Sequence, residues 1–185
     1  MHMKQIVNIF FGTLILGLAF SVSGDSYAQR AEIPNSTIAQ LNPIYDAYFN
    51  FQEALAKDNF QEAKGALNEL EESVSKADLG QLEGELGSEW KDIEQRLQRN
   101  ASLGQEAPTI NELRTEILKD LSEAVLTLQK EFRHSGPDTH YEAFCPMALN
   151  TGASWLQKKD QILNPFYGKS MQGCGELKRE FPGKE

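Results

Sequence analysis

The chain is poor in the side chains from which most metal and catalytic sites are built: its 185 residues include two cysteines, three histidines and four methionines. No phosphate-cradling glycine loop, serine elbow or zinc-protease helix motif occurs. The pair of Glu-x-x-His motifs that a di-iron bundle requires is missing as well. Basic residues are also scarce, 18 against 27 acidic ones, which leaves a net charge of −9. Nucleic-acid binding draws most of its affinity from cations that neutralise phosphates, so no nucleic-acid partner is expected. The many glutamates are read as solvated helix faces.

Long apolar runs are missing too, with one exception. Ile6 to Val22 is apolar, follows Lys4 and precedes the small residues around Ser26 and Ala28. These are the three parts of a secretory signal, so residues 1–28 are expected to be a signal peptide cleaved after Ala28, with a periplasmic product. The run is close to the shortest that spans a bilayer, but the cleavage site that comes directly after it argues for removal and against stable membrane insertion. No cysteine lies near Ala28, which excludes lipid attachment through that residue type. Removal takes away Lys4 and Asp25, so the mature chain keeps 17 basic and 26 acidic residues and a charge of −9.

The chain beyond Ala28 is long enough for one domain with a proper core. After a polar lead-in, residues 29–41, Asn42-Pro43 reads as an N-cap with proline at the first helical position. Ile44, Tyr48, Phe51 and Leu55 then recur at three- and four-residue intervals, which puts them on one helix face. Asn59 and Glu62 have capping-box spacing and open a second helix striped by Phe60, Ala63, Leu67, Leu70 and Val74. Leu86, Trp90, Ile93 and Leu97 predict a third, ending near Asn100, with a loop over 101–108. Thr109 and Glu112 form another capping box and open a fourth, from Ile110 through Leu121 to Phe132, ended by Gly136-Pro137. The expected fold is mainly α: an up-down-up-down four-helix bundle over 42–136, followed by a short, irregular, partly extended C-terminal subdomain over 137–185 packed on it. Tyr45, Tyr48, Phe49 and Phe51 read as core packing.

Every soft-ligand side chain beyond the leader lies in that last segment: Cys145, Met147, Met171 and Cys174. Thiolates and thioethers together suit a soft cation such as Cu(I) or Ag(I), because the bonding is polarisable, whereas zinc rarely accepts a thioether. His140 is a fifth candidate ligand. Pro146 biases Cys145 toward extended geometry, and residues two apart in a strand share a face, which points Cys145 and Met147 the same way. Two other readings stay open. Cys145 and Cys174 could close a disulfide loop contributing about 3–4 kcal/mol, with the methionines as ordinary packing residues, or both thiols could be structural. Oxidation and metal binding could also alternate.

The remaining residues of the tail have plainer readings. His134 is expected to complement the fourth helix's dipole. Trp155, Phe166 and Tyr167 are expected to anchor the tail, Asn164-Pro165 to start a turn, and Lys158 and Lys159 to be solvated. A cysteine and a histidine, Cys145 and His140, are the minimum of a nucleophilic pair, but no other part of an acyl-transfer site is visible, so an enzyme is not expected.

Cys145-Pro-Met147-Ala, Trp155-Leu156, Asn164-Pro-Phe-Tyr-Gly168 and Met171-x-x-Cys174-Gly175 resemble the signature of a bacterial exported domain family of unknown function. Its members occur alone or fused to periplasmic adaptor (membrane fusion) subunits of copper and silver efflux systems. The tyrosine-rich start of the first helix, leading to ALAKDNFQEAK, is similar to that family's opening, so the resemblance spans about Ile44 to Glu176. It implies an exported helical domain associated with heavy-metal handling, with the four sulfur residues at matching positions and an efflux adaptor or metallochaperone as partner. No segment resembles an adaptor's long coiled hairpin or β-rich parts, which favours an accessory role in binding or buffering the metal.

Overall fold

The computed structural model describes residues 33–183. The expected signal peptide, its cleavage point after Ala28 and residues 29–32 of the lead-in lie outside them. The lead-in is less polar in effect than its composition suggests. Residues Asn35–Ala39 form a short helix, α1, and Ile38 and Leu41 turn inward and are buried.

Helix α2 (Asn42–Ala56) buries Ile44, Tyr48, Phe51 and Leu55 completely, as the three- and four-residue spacing requires. Asn42 is not its cap, contrary to the sequence expectation. Its side chain makes no capping bond; it clamps Ser135 instead, donating to the Ser135 carbonyl at 3.1 Å and accepting from the Ser135 N–H at 3.2 Å. A turn with Asp58 in left-handed geometry leads into α3 (Phe60–Lys76). Here the cap is as expected: Asn59 Oδ1 accepts the Glu62 N–H at 3.2 Å, satisfying one of the helix's orphan donors.

Helix α4 (Gly84–Glu106) runs past Asn100 through the stretch expected to be a loop. Gly104 lies within this added stretch, buried in the helix where a neighbour comes close: a Cβ there would sit 2.5 Å from Leu67 Cδ1. Lys64 of α3 then caps the end of α4, its ammonium donating to the carbonyls of Gly104 (3.2 Å), Gln105 and Ala107 (3.0 Å). A cation at a helix C-terminus answers both the orphan carbonyls and the dipole.

Thr109 caps α5 (Ile110–Glu112) by accepting the Glu112 N–H at 3.2 Å. A π-helical turn (Leu113–Ile117) interrupts the expected continuous helix before α6 (Leu118–Glu131). The residue that ends α6 is Arg133, in left-handed geometry (φ 66°), rather than Gly136 three residues on. Helix α2 packs on α3, α3 on α4, and α4 on α6.

The C-terminal segment is more regular than expected. Strands β1 (His140–Cys145), β2 (Ala153–Gln157) and β3 (Glu176–Phe181) form an antiparallel sheet in the order β2-β1-β3. β2 lies on α6. On β2's outer edge the Leu156 N–H is taken by Tyr48 Oη of α2 at 3.3 Å, and the same hydroxyl bonds Ser122 Oγ of α6 at 2.9 Å. Burial pushes the Tyr48 phenol up to about 12, so it stays protonated at this three-way joint. Lys158 and Lys159 are not simply solvated: they pair with Asp46 (2.8 Å) and Glu53 (3.2 Å) of α2. The chain is thus mainly helical with a small C-terminal sheet, and the described residues belong to one compact unit. Among the described residues no helix is long and apolar enough to cross a membrane.

Candidate metal centre

The sulfur residues sit where the sheet's central strand ends. Cys145 is the last residue of β1 and is fully buried, opposite Ala153 of β2. After Pro146 the chain reverses through a 3₁₀ turn (Ala148–Asn150), with Leu149, Asn150 and Gly152 all at positive φ. Gly152 is required there, since a Cβ would lie 2.6 Å from the Phe144 ring.

Cys174 arrives from the other side, just before β3, and is half-buried. Its Sγ lies 2.6 Å from Cys145 Sγ, so the two side chains are in direct contact across 29 residues of sequence. Contact with Cys145, then burial, raises the Cys174 thiol above its ordinary range. Gly175 lets the loop come in: at φ 137°, a Cβ would be 3.0 Å from both the Phe144 carbonyl oxygen and the Trp155 ring.

One residue that sequence reasoning took for a turn starter holds this loop. Asn164 is fully buried. Its Nδ2 donates to the Cys174 carbonyl at 2.7 Å, and its Oδ1 accepts the N–H groups of Phe166 (2.8 Å) and Tyr167 (3.2 Å). Its backbone N–H donates to the Gln172 carbonyl at 2.8 Å. The only sequence signal was an asparagine before proline, which does not tell a local turn from a long-range clamp. Gln172 Nε2 and Gln52 Nε2 tie the loop to α2 through the carbonyls of Ala56 (2.9 Å) and Leu163 (2.6 Å). Arg114, in the π turn, donates to the Pro165 and Leu55 carbonyls and pairs with Asp58, whose carboxyl this guanidinium holds below the usual range. Trp155 and Phe166 anchor the tail as expected, buried and edge-to-face at 6.1 Å.

Met147 and Met171 flank the cysteines in sequence, and neither is buried in the core. They are 52% and 37% exposed, two of the three exposed large apolar side chains among the described residues. Met147 is two residues beyond Cys145, and Met171 three before Cys174, whose N–H donates to the Met171 carbonyl at 3.0 Å. Tyr167 Oη donates to the Met147 carbonyl at 2.6 Å, which holds the two segments together. Two or three residues of chain span about 7–11 Å at most, so all four sulfur residues share one corner of the sheet.

His140 does not join them. It begins β1 while Cys145 ends it, roughly 16 Å away along an extended strand. Its ring is buried against Tyr45 and Phe49 and stacks on His134 with centroids 3.6 Å apart. The rings share Gln129: His140 Nδ1 donates to its Oε1 at 2.8 Å, its amide donates to His134 Nδ1 at 3.1 Å, and His134 Nε2 donates to the Asp138 carbonyl at 2.7 Å. Burial, then the neighbouring His134 and Lys158, lower the His140 pKa to about 3. The same placement parts His140 from Cys145 as a nucleophilic pair. His134 is a buried joint rather than a dipole partner. The single Glu-x-x-His spacing, Glu131 to His134, therefore ends in an imidazole whose two nitrogens are both engaged. Among the described residues no three histidine, cysteine, aspartate or glutamate side chains converge as metal ligands. A site at the sheet corner would thus rest on two thiolates completed by thioethers, a donor set that fits a soft monovalent ion.

Residues 44–136, half of the chain, match the family model described as "Protein of unknown function (DUF3347)". The chain belongs to that family. The matched residues comprise the helices from α2 to the turn after α6, and the sulfur-bearing sheet comes after them. No curated protein and no solved structure matches the chain.

Proposed function

We propose that this member of the family is an exported, periplasmic soft-cation module. Its helices would form an up-down-up-down bundle serving as platform, and its C-terminal sheet would bind Cu(I) or Ag(I) through Cys145, Cys174, Met147 and Met171. The observation that carries the reading is the exposure of both methionines, two and three residues along the chain from a contacting cysteine pair. A methionine kept for packing is buried with the core, whereas a thioether left in solvent next to thiols is available as a ligand. To admit an ion the two thiol sulfurs must part, because metal–thiolate bonds are about 2.3 Å long even for zinc, and two such bonds span more than the present separation. The half-buried Cys174 loop is the side able to give way. In this reading the protein buffers the metal or passes it to an efflux adaptor or metallochaperone, a role that needs binding and release but no catalysis.

The test is titration of the fully reduced chain with Cu(I) against a competing chelator. One equivalent should bind tightly, the Cys145→Ser/Cys174→Ser double variant should lose that binding, and Met147→Leu/Met171→Leu should weaken it by about tenfold or more, equivalent to about 1.4 kcal/mol. Binding unchanged in the cysteine variant, or none in the wild type, would overturn the assignment.

A further inference from the structure

The two cysteines touch, yet their surroundings differ sharply. Cys145 is fully buried at the end of the central strand, with β2 on one side and β3 on the other. Cys174 is half-buried in a loop flanked by the exposed Gly173. An external reagent can meet only the second. Once Cys174 carries an adduct, the Cys145 sulfur is already within 2.6 Å of it and needs no chain movement to attack.

We infer that Cys145 and Cys174 are a reversible dithiol–disulfide exchange pair, in which Cys174 is the thiol that reacts with an external disulfide and Cys145 is the resolving thiol. The Cys174 thiolate attacks one sulfur of the external disulfide, forming a mixed disulfide and releasing the other half as a thiolate that takes up the Cys174 proton. The Cys145 thiolate then attacks the Cys174 sulfur, breaking the mixed bond and releasing the second half, which takes up the Cys145 proton. The protein loses two electrons and two protons, and the external disulfide becomes two thiols. Low-molecular-weight disulfides and the disulfides of exposed protein loops are the class of oxidant that fits.

The product disulfide has no thiolate to offer, so oxidation would close the soft-cation site. That consequence rests on the metal reading; the exchange chemistry does not.

The experiment treats the reduced chain with oxidised glutathione and tracks intact mass. Wild type is expected to lose the mass of two hydrogen atoms and retain no adduct. Cys145→Ser should trap one glutathione at Cys174, and Cys174→Ser should be modified roughly tenfold more slowly. Should either variant fold poorly, brief native alkylation of wild type with subsequent peptide mapping gives the same information, with Cys174 labelled before Cys145. Equal labelling of the two, adducts retained on wild type, or modification of Cys174→Ser as fast as Cys145→Ser would overturn the proposal. Since the Cu(I) titration is made on fully reduced protein, its failure would leave this result untouched, and the reverse also holds.

Discussion

Acidification should weaken this protein well before its carboxylates titrate, and His140 is the reason. In the folded chain its pKa is about 3, against 6.5 for the free side chain, because burial and then the nearby His134 and Lys158 disfavour the cation. Below pH 6.5 the unfolded chain takes up a proton that the folded chain refuses, so the unfolded state binds more protons and stability falls as pH falls. The contribution is whole above 6.5, declines between 6.5 and 3, and is gone below. Each pH unit in that window is worth about 1.4 kcal/mol, so about 2 kcal/mol is lost by pH 5. That is a large part of a typical stability of about 5–15 kcal/mol, and corresponds to roughly 4–8 °C in Tm for a domain of this size. Urea unfolding monitored by the fluorescence of Trp90 and Trp155 at pH 7.5, 6 and 5 measures it directly. His140→Gln, which keeps a donor for Gln129, removes the titrating ring. The variant should be less stable at pH 7.5 yet nearly flat from 7.5 to 5. The window stops short of the carboxylates, whose protonation affects both proteins alike at lower pH. Parallel loss of stability in wild type and variant would refute the assignment to His140.

Asn164→Ala removes three hydrogen bonds from a buried position and should cost about 2–4 kcal/mol by chemical denaturation; it should also speed alkylation of Cys174, whose carbonyl it frees. Lys64→Met leaves the last carbonyls of α4 without their cation and should lower stability by about 1–2 kcal/mol, with the loss localised by faster hydrogen exchange near Gln105. Asp120 is held at about 2: burial alone would raise it, and hydrogen bonds from Asn100, Arg96 and Arg99 prevail. Its contribution is present above the usual aspartate pKa of about 3.9 and lost as pH falls through about 2. Asp120→Asn should flatten only that acid limb, by about 1 kcal/mol after solvent screening, as read from acid-unfolding curves.

The helices were legible because burial obeys their 3.6-residue period, and two of the three proposed caps, at Asn59 and Thr109, form as their spacing required. Asn42 misled because a residue that can cap a helix can equally clamp a backbone 93 positions away. The expected loop over 101–108 was misplaced because α4 continues to Glu106, with Ala101 and Gly104 buried in it. The sheet was half visible. β2 buries four of its five residues, so it lacks the alternation that marks a strand, and the solvent-facing β3 has little apolar pattern to alternate. Proximity of the two cysteines was one of the options that sequence left open. The separation of His140 from them results from strand geometry once β1 is known, and the role of Asn164 was hidden because each of its partners becomes a neighbour only after folding.

The family's matched residues stop at 136, yet the fold does not stop there. Tyr48 meets the backbone of Leu156, Gln52 that of Leu163, and Gln129 the ring of His140. Each is a buried polar group of the helices whose partner lies in the last third of the chain. The end of the family match is therefore not a folding boundary: cut at 136, Gln52 would lose its Leu163 partner, Tyr48 would keep only Ser122, and Gln129 only His134. What the family model matches is, in this chain, one side of a joint whose other side carries the sulfurs.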